Sequence, residues 1–147
     1  MELKGDKALE RTLRTLGERV QRKIVRSSVN AAATPVLKAA RSNVTTESGL
    51  LKQSLAKKVN TSKDKQSITA IIGPRRDVKG EYDGKTRKPS RYAHLVEKGF
   101  INEAGEYVPP KPFLRPAAES TEQHALGVMS AKLAAGVVKE AAKAGVT

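Results

Sequence analysis

Each of the two histidines in this chain has carboxylates close by in sequence. His94 and Glu97 stand three residues apart, a spacing that places both on one face of a helix, where an acid–base pair or a metal site could start. No third ligand and no substrate-orienting group lies near them. His124, beside Glu119 and Glu122, falls on a different element, and neither histidine enters a metal spacing such as His-Glu-x-x-His. The stretch "GPRRDVKG" has neither the Lys-Ser/Thr ending of a phosphate-binding loop nor dinucleotide-binding glycine spacing. No serine sits in a nucleophile elbow, and the absence of cysteine excludes disulfides and thiolate metal sites. The expectation is a protein that is not an enzyme, with no catalytic residue, no metal and no cofactor.

The chemistry that remains is charge. Residues 74–91, "PRRDVKGEYDGKTRKPSR", hold seven basic residues against three acidic, and they read as a long basic loop with Gly80 and Gly84 as pivots. Arg75, Arg76, Lys79, Lys85, Arg87, Lys88 and Arg91 could line a DNA backbone or meet an acidic partner, through contacts that weaken with salt. The plain alternative is a solvated loop. Tyr82 is the one aromatic inside it, which is poor material for a single-strand stacking platform, and no helix-turn-helix, zinc finger or RNA-recognition motif is present. Over the whole chain 28 Lys and Arg oppose 15 Asp and Glu, a net charge of +13. Such an excess repels copies of itself and draws in nucleic acid, acidic lipid or acidic protein.

Several elements must position these groups. Leu9, Leu13, Leu16, Val20 and Ile24 recur at helical spacing and predict an amphipathic helix over residues 6–29, with Arg11, Arg14, Arg19, Arg22, Lys23 and Arg26 mainly off the stripe. It extends through "SSVNAAATPVLKAARSN", where Pro35 either kinks it or opens a second helix capped by Thr34. The stripe lacks aromatic anchors for a membrane surface, so packing on a sheet is the default. Thr46, Glu47, Ser48 and Gly49 form a turn cluster before Leu50 and Leu51. "LAKKVNTS" and "QSITAIIG" then read as two antiparallel strands of a hairpin, ended by Gly73 and Pro74. Tyr92, Leu95 and Val96 have helix-like spacing, closed by Gly99. A C-terminal helix follows, with Pro116 in its first turn and a broken stripe of Leu114, Ala118, Ala125, Val128, Met129, Leu133 and Val137, weakened by Gly127 and Gly136.

The 147 residues are most simply one domain, 1–147. Leu, Val, Ile and Phe number only 32, near the ~20% below which a highly charged chain tends to stay disordered. Alanine supplies much of the rest, so the core should be modest and supplemented by neighbouring subunits. No apolar run reaches the ~18 residues of a membrane span, and "MELKGDKALER" lacks a signal-peptide apolar region. The expected setting is the soluble side of a membrane, with no membrane partner. All five aromatic residues, Tyr82, Tyr92, Phe100, Tyr107 and Phe113, fall in one stretch with most of the prolines. They read either as a core patch or as a surface built to meet partners.

Three motifs in order sharpen that choice: "ESGLLKQSL" at 47–55, "YAHLVEKGF" at 92–100 and "PPKPFLRPAAE" at 109–119. Together with a leading and a trailing helix, over about residues 9–135, they resemble the gene-ten-like head–tail joining and tail-completion proteins of long-tailed phages. The matching positions are Gly49, Leu51 and Ser54 in the first motif, Tyr92, Ala93, Glu97 and Gly99 in the second, and Pro110, Pro112, Phe113 and Arg115 in the third. Ser48 and Leu55 are mild departures, and the basic stretch 74–91 is a larger one.

The resemblance implies an α+β fold, a small antiparallel sheet packed by a long N-terminal and a C-terminal helix. It implies a structural virion component, made in the host cytoplasm, that forms a ring at the neck, most plausibly of six copies. That ring would join the head connector or adaptor to the tail terminator or tail tube and leave a DNA channel, with non-specific DNA contact possible inside. The alternative is a stand-alone basic nucleic-acid-binding module. Candidate subunit or partner contacts are Tyr92, Glu97, Phe100, Pro112, Phe113 and Arg115, each aromatic also being a candidate for the chain's own core. Glu97 is expected to pair with Arg115.

Overall fold

The computed structural model describes residue 14, residues 16–45, 49–82 (Tyr82 by its backbone alone) and 84–143. Leu9 and Leu13 of the N-terminal stripe, and Thr46, Glu47 and Ser48 of the turn cluster, lie outside them. The chain is α+β. Helix α1 (Glu18–Asn43) is followed by a short helix α2 (Leu50–Ser54) and by strands β1 (Leu55–Thr61) and β2 (Ile68–Pro74). Next come β3 (Gly80–Tyr82), β4 (Lys85–Arg87), helix α3 (Pro89–Lys98), β5 (Phe100–Ile101), β6 (Tyr107–Val108) and the long helix α4 (Leu114–Lys143). The described strands pair two by two, β1 with β2, β3 with β4 and β5 with β6, into three separate sheets where one had been expected.

The residues form two compact units, one from residues up to Thr34 with 58–71 and 122 onward, the other from 35–57 and 72–121. In the first unit the predicted stripe holds on α1 at Val20 and Ile24, while Leu16 lies just before the helix begins at Glu18: Leu16 and Ile24 are buried with Val137, and Val20 and Leu133 pack beside them. Alanine contributes Ala32, Ala33, Ala125 and Ala141 to the buried set. The Arg26 guanidinium donates to the Val59 carbonyl at 2.8 Å and to the Thr61 hydroxyl at 3.1 Å, tying α1 to the end of β1. Lys23 meets Glu140 at 3.2 Å. The β1–β2 hairpin closes with Ser62 N–H on the Ser67 carbonyl, and the Asp64 carboxylate accepts from the Ser62 hydroxyl and the Gln66 N–H.

Pro35 neither ends α1 nor opens a new helix; the element runs through it from Glu18 to Asn43. Thr34 does not cap a second helix. Its hydroxyl donates to the Asn30 carbonyl one turn back. The expected stripe on α4 holds at Ala125 and Val137, which are buried, and at Leu114, Val128, Met129 and Leu133, which are half-buried; it misses at Ala118. Ala117 is fully buried whereas Ala118 is exposed, because an alanine pair offers no hydrophobic contrast by which to choose a face.

The two helical glycines of α4 differ. A methyl at Gly136 would sit 2.9 Å from Ile24 Cγ2, a stiff β-branched atom, whereas one at Gly127 meets nothing within 4 Å. Gly127→Ala is therefore expected to raise stability by about 0.5–1 kcal/mol through helix propensity. Gly136→Ala should lower it by about 1 kcal/mol, since overpacking exceeds the same gain. Thermal melts of the two variants against the parent check the opposite signs.

The second unit is built on Phe113. Its fully buried ring lies with Leu37, Ala40, Leu51, Leu55, Ala93 and Ala117, and Ile72, Tyr92, Val96 and Leu114 pack around them. Arg41 donates to the Leu55 carbonyl at 2.8 Å, and the Arg75 N–H to the Ser54 carbonyl at 2.9 Å.

The stretch 74–91 is not the long loop that its polarity suggested. Gly84, at φ 72, turns β3 onto β4 in an antiparallel hairpin with Gly80 opposite Arg87, Glu81 opposite Thr86 and Tyr82 opposite Lys85. Pro89 then opens α3 at a position that suits its fixed φ and missing N–H. Three-residue strands are too short to show an alternating pattern, which is why polarity alone suggested a loop.

Candidate partner-docking surface

The third motif is held by a single carboxylate. Glu97, in the last turn of α3, accepts the Phe113 N–H at 2.7 Å and the Leu114 N–H at 3.1 Å on Oε2, and the Arg115 N–H at 3.0 Å on Oε1. A helix start leaves its first N–H groups without internal partners and carries partial positive charge. Here Leu114 and Arg115 give theirs to Glu97, while Pro116 has none to give. Burial pushes the Glu97 carboxyl up, but the three backbone N–H donors and the Arg115 charge outweigh it and hold the group below the usual carboxylate range. The expected Glu97–Arg115 side-chain pair is replaced by this backbone clamp. The Arg115 guanidinium turns instead to Glu119, one turn along, at 3.1 Å.

Around the clamp the chain is tightly threaded. Gly99 adopts φ 78, and a Cβ there would stand 2.9 Å from the Val108 carbonyl oxygen and 3.0 Å from Pro110. Lys111 N–H donates to the Val96 carbonyl at 2.8 Å. Between these points Phe100 to Val108 form a two-stranded hairpin that had not been expected, with Phe100 opposite Val108 and Ile101 opposite Tyr107. Asn102 shapes its turn: its side-chain oxygen accepts the Glu106 N–H at 2.8 Å, and Gly105 supplies φ 82.

The candidate contact residues therefore divide. Phe113 is fully buried, Tyr92 packs against the same core, and Glu97 is engaged by backbone. Phe100 is half-buried, and Pro112 and Arg115 are exposed. Burial raises the Tyr92 hydroxyl pKa, and the nearby Arg87 charge opposes that rise. His94 is exposed, and its presumptive partner Glu97 is already committed to the helix start. Among the described residues no group of three His, Cys, Asp or Glu side chains is arranged to hold a metal.

The basic stretch becomes a surface. Arg75, Arg76, Lys79, Lys85, Arg87 and Arg91 are exposed, and Lys88 is half-buried. Arg75 is neutralised by Asp77 at 2.6 Å. Lys85 and Arg87, two apart on β4, share one face, whereas Glu81 stands opposite Thr86 and not opposite either cation. Of two further residues, sequence reasoning named Tyr107 only among the five clustered aromatics and Ile101 not at all. Ile101 and Tyr107, directly opposite each other on β5 and β6, are 71% and 68% exposed. Their signal was an apolar residue on each side of the turn sequence "NEAGE". Such an arrangement presents exposed charge and exposed apolar area, the features by which macromolecules are bound.

No curated protein and no solved structure gives a significant match to this chain. A family model described as "Bacteriophage HK97-gp10, putative tail-component" matches residues 7–99, more than half of the sequence. The matched region takes in "ESGLLKQSL" and the Tyr-Ala…Glu-x-Gly stretch up to its closing glycine, and it stops before the proline motif that Glu97 clamps. With both of these motifs inside the match, the chain belongs to the HK97-gp10-like family of phage tail components.

Proposed function

We propose that this tail component acts at the head–tail junction, as a ring, most simply of six copies, that joins the head connector or adaptor to the tail terminator or tail tube and leaves a channel for DNA. The family match over residues 7–99 is the observation that carries the reading. Two further features support it. Seven of the fourteen buried apolar residues described are alanine, while Ile101, Tyr107 and Val138 remain exposed, so a subunit gains from neighbours the burial that its own interior lacks. An excess of 13 positive charges, with seven basic residues in 75–91, suits either a channel wall facing phosphate or an acidic partner face, and it would steer assembly.

On this reading the mechanism is docking, with synthesis in the host cytoplasm and a final location in the virion neck. Deleting the gene in the producing phage should leave DNA-filled heads and free, unattached tails, and supplying the protein in trans should restore joining. A neck reconstruction should place the chain in a symmetric ring. Normal tailed particles lacking the chain would refute the proposal. The positive charge also allows the stand-alone nucleic-acid-binding module. Tight duplex binding by an isolated monomer, lost steeply with added salt, would favour that second reading.

A further inference from the structure

We infer that the β5–β6 hairpin of one copy docks, through Ile101, Tyr107, Glu103 and Glu106, onto the basic 75–91 surface of the next copy. The inference rests on the ring reading and gives that ring its subunit contact. The hairpin has two faces. Directly opposite residues of an antiparallel pair project to the same side, so Phe100 and Val108, both half-buried, form one face, and Ile101 and Tyr107, both largely exposed, form the other. A cross-strand pair of large apolar residues held rigidly in the open is good anchor material for an interface, tyrosine especially.

Charge selects the occupant. Within a strongly basic protein, residues 100–108 carry Glu103 and Glu106 and no cation. Both carboxylates are exposed and have no ion-pair partner among the described residues. DNA is a poor occupant, since its phosphates would meet these two carboxylates. A symmetric hairpin-to-hairpin contact is also disfavoured, because it sets Glu103 and Glu106 against their own copies. The complementary surface on the same chain is 75–91, where Lys79, Lys85, Arg87 and Arg91 are exposed and likewise lack an ion pair among the described residues. A contact between two different patches of identical subunits is heterologous, and it closes into a ring when the rotation between copies permits.

The test mixes isotopically light and heavy full-length protein, in solution and in purified particles, and applies a carbodiimide that joins touching carboxylates and lysines without a spacer. Light–heavy cross-links are expected from Glu103 or Glu106 to Lys79, Lys85 or Lys88. Glu103→Lys with Glu106→Lys should raise the concentration needed for half-assembly by at least ~10-fold, through like charges brought together. Lys85→Glu with Arg87→Glu should do the same, and combining all four changes should restore assembly. Ile101→Ser with Tyr107→Ser should block assembly while leaving the monomer's melting temperature unchanged. Rings that persist in the Glu103→Lys, Glu106→Lys protein, with cross-links at other positions, would overturn this contact and leave the ring reading standing. So would cross-links from Glu103 and Glu106 to a different virion protein. A chain found as single copies both in solution and in particles would overturn both.

Discussion

Replacing Phe113 by alanine is expected to cost about 4 kcal/mol of stability, in the range for emptying a buried aromatic site. Phe113 is the largest fully buried side chain described and the one aromatic in its cluster of buried residues. Its buried neighbours Ala40, Ala93 and Ala117 are short and anchored on helices, so they cannot reach in to refill the space. Small domains are stable by only about 5–15 kcal/mol, and a loss of this size lowers the melting temperature by roughly 8–16 °C for a chain of this length. Phe113→Leu keeps most of the volume and should cost about half as much. The discriminating feature is concentration. A core residue shifts the melt of the monomer equally at all protein concentrations, whereas an interface anchor leaves the monomer unchanged and weakens only assembly. Thermal melts over a dilution series separate the two, and an unaltered monomer melt for Phe113→Ala would contradict the burial argument.

That result also separates two kinds of residue which look alike in sequence. Phe113 and Tyr107 both belong to the aromatic-rich stretch, yet one fills a core and the other stands exposed. Motif order pointed to the stretch as a unit but could not sort its members, because which aromatic turns inward depends on pairings between segments. The features legible beforehand were those with a period or a strong local punctuator. Val20 and Ile24 announced their helix, "LAKKVNTS" and "QSITAIIG" their hairpin, and Gly99 the end of α3. The hidden features lacked such a signal. Strands β3 to β6 are two or three residues long, less than one useful cycle of alternation, and their turns rest on Gly84, Asn102 and Gly105. The basic candidates from Arg75 to Arg91 were legible as charge. The placing of Lys85 and Arg87 on a strand and of Arg91 on a helix was not, since the strands are too short to show a period.

Glu97 shows how a correct proximity can conceal a different interaction. The sequence brought Glu97 and Arg115 together as opposite charges, and the fold does place them side by side, but the carboxylate binds the backbone of residues 113–115. Glu97→Gln is therefore expected to cost about 2 kcal/mol near neutral pH. The amide keeps one oxygen acceptor and turns an NH2 donor toward N–H groups that need an acceptor, and the charge at the helix start is lost. Neutralising Arg115 should cost far less, because its guanidinium is exposed and its ion pair among the described residues is with the exposed Glu119.

The acid limb of stability provides the sharper signature. The Glu97 carboxyl titrates below its usual value in the folded protein, so the unfolded chain takes up the proton first. Its contribution is complete above the unfolded value of about 4.3, and it fades as pH falls through the lower folded value. The Glu97→Gln deficit should accordingly be full from about pH 6 upward and shrink below about pH 4, where the parent also loses its carboxylate. Denaturant titrations of both proteins between these limits measure the difference directly. A deficit that stays constant down the acid limb would mean that the side chain acts by shape alone, and the charged clamp on the start of α4 would have to be given up.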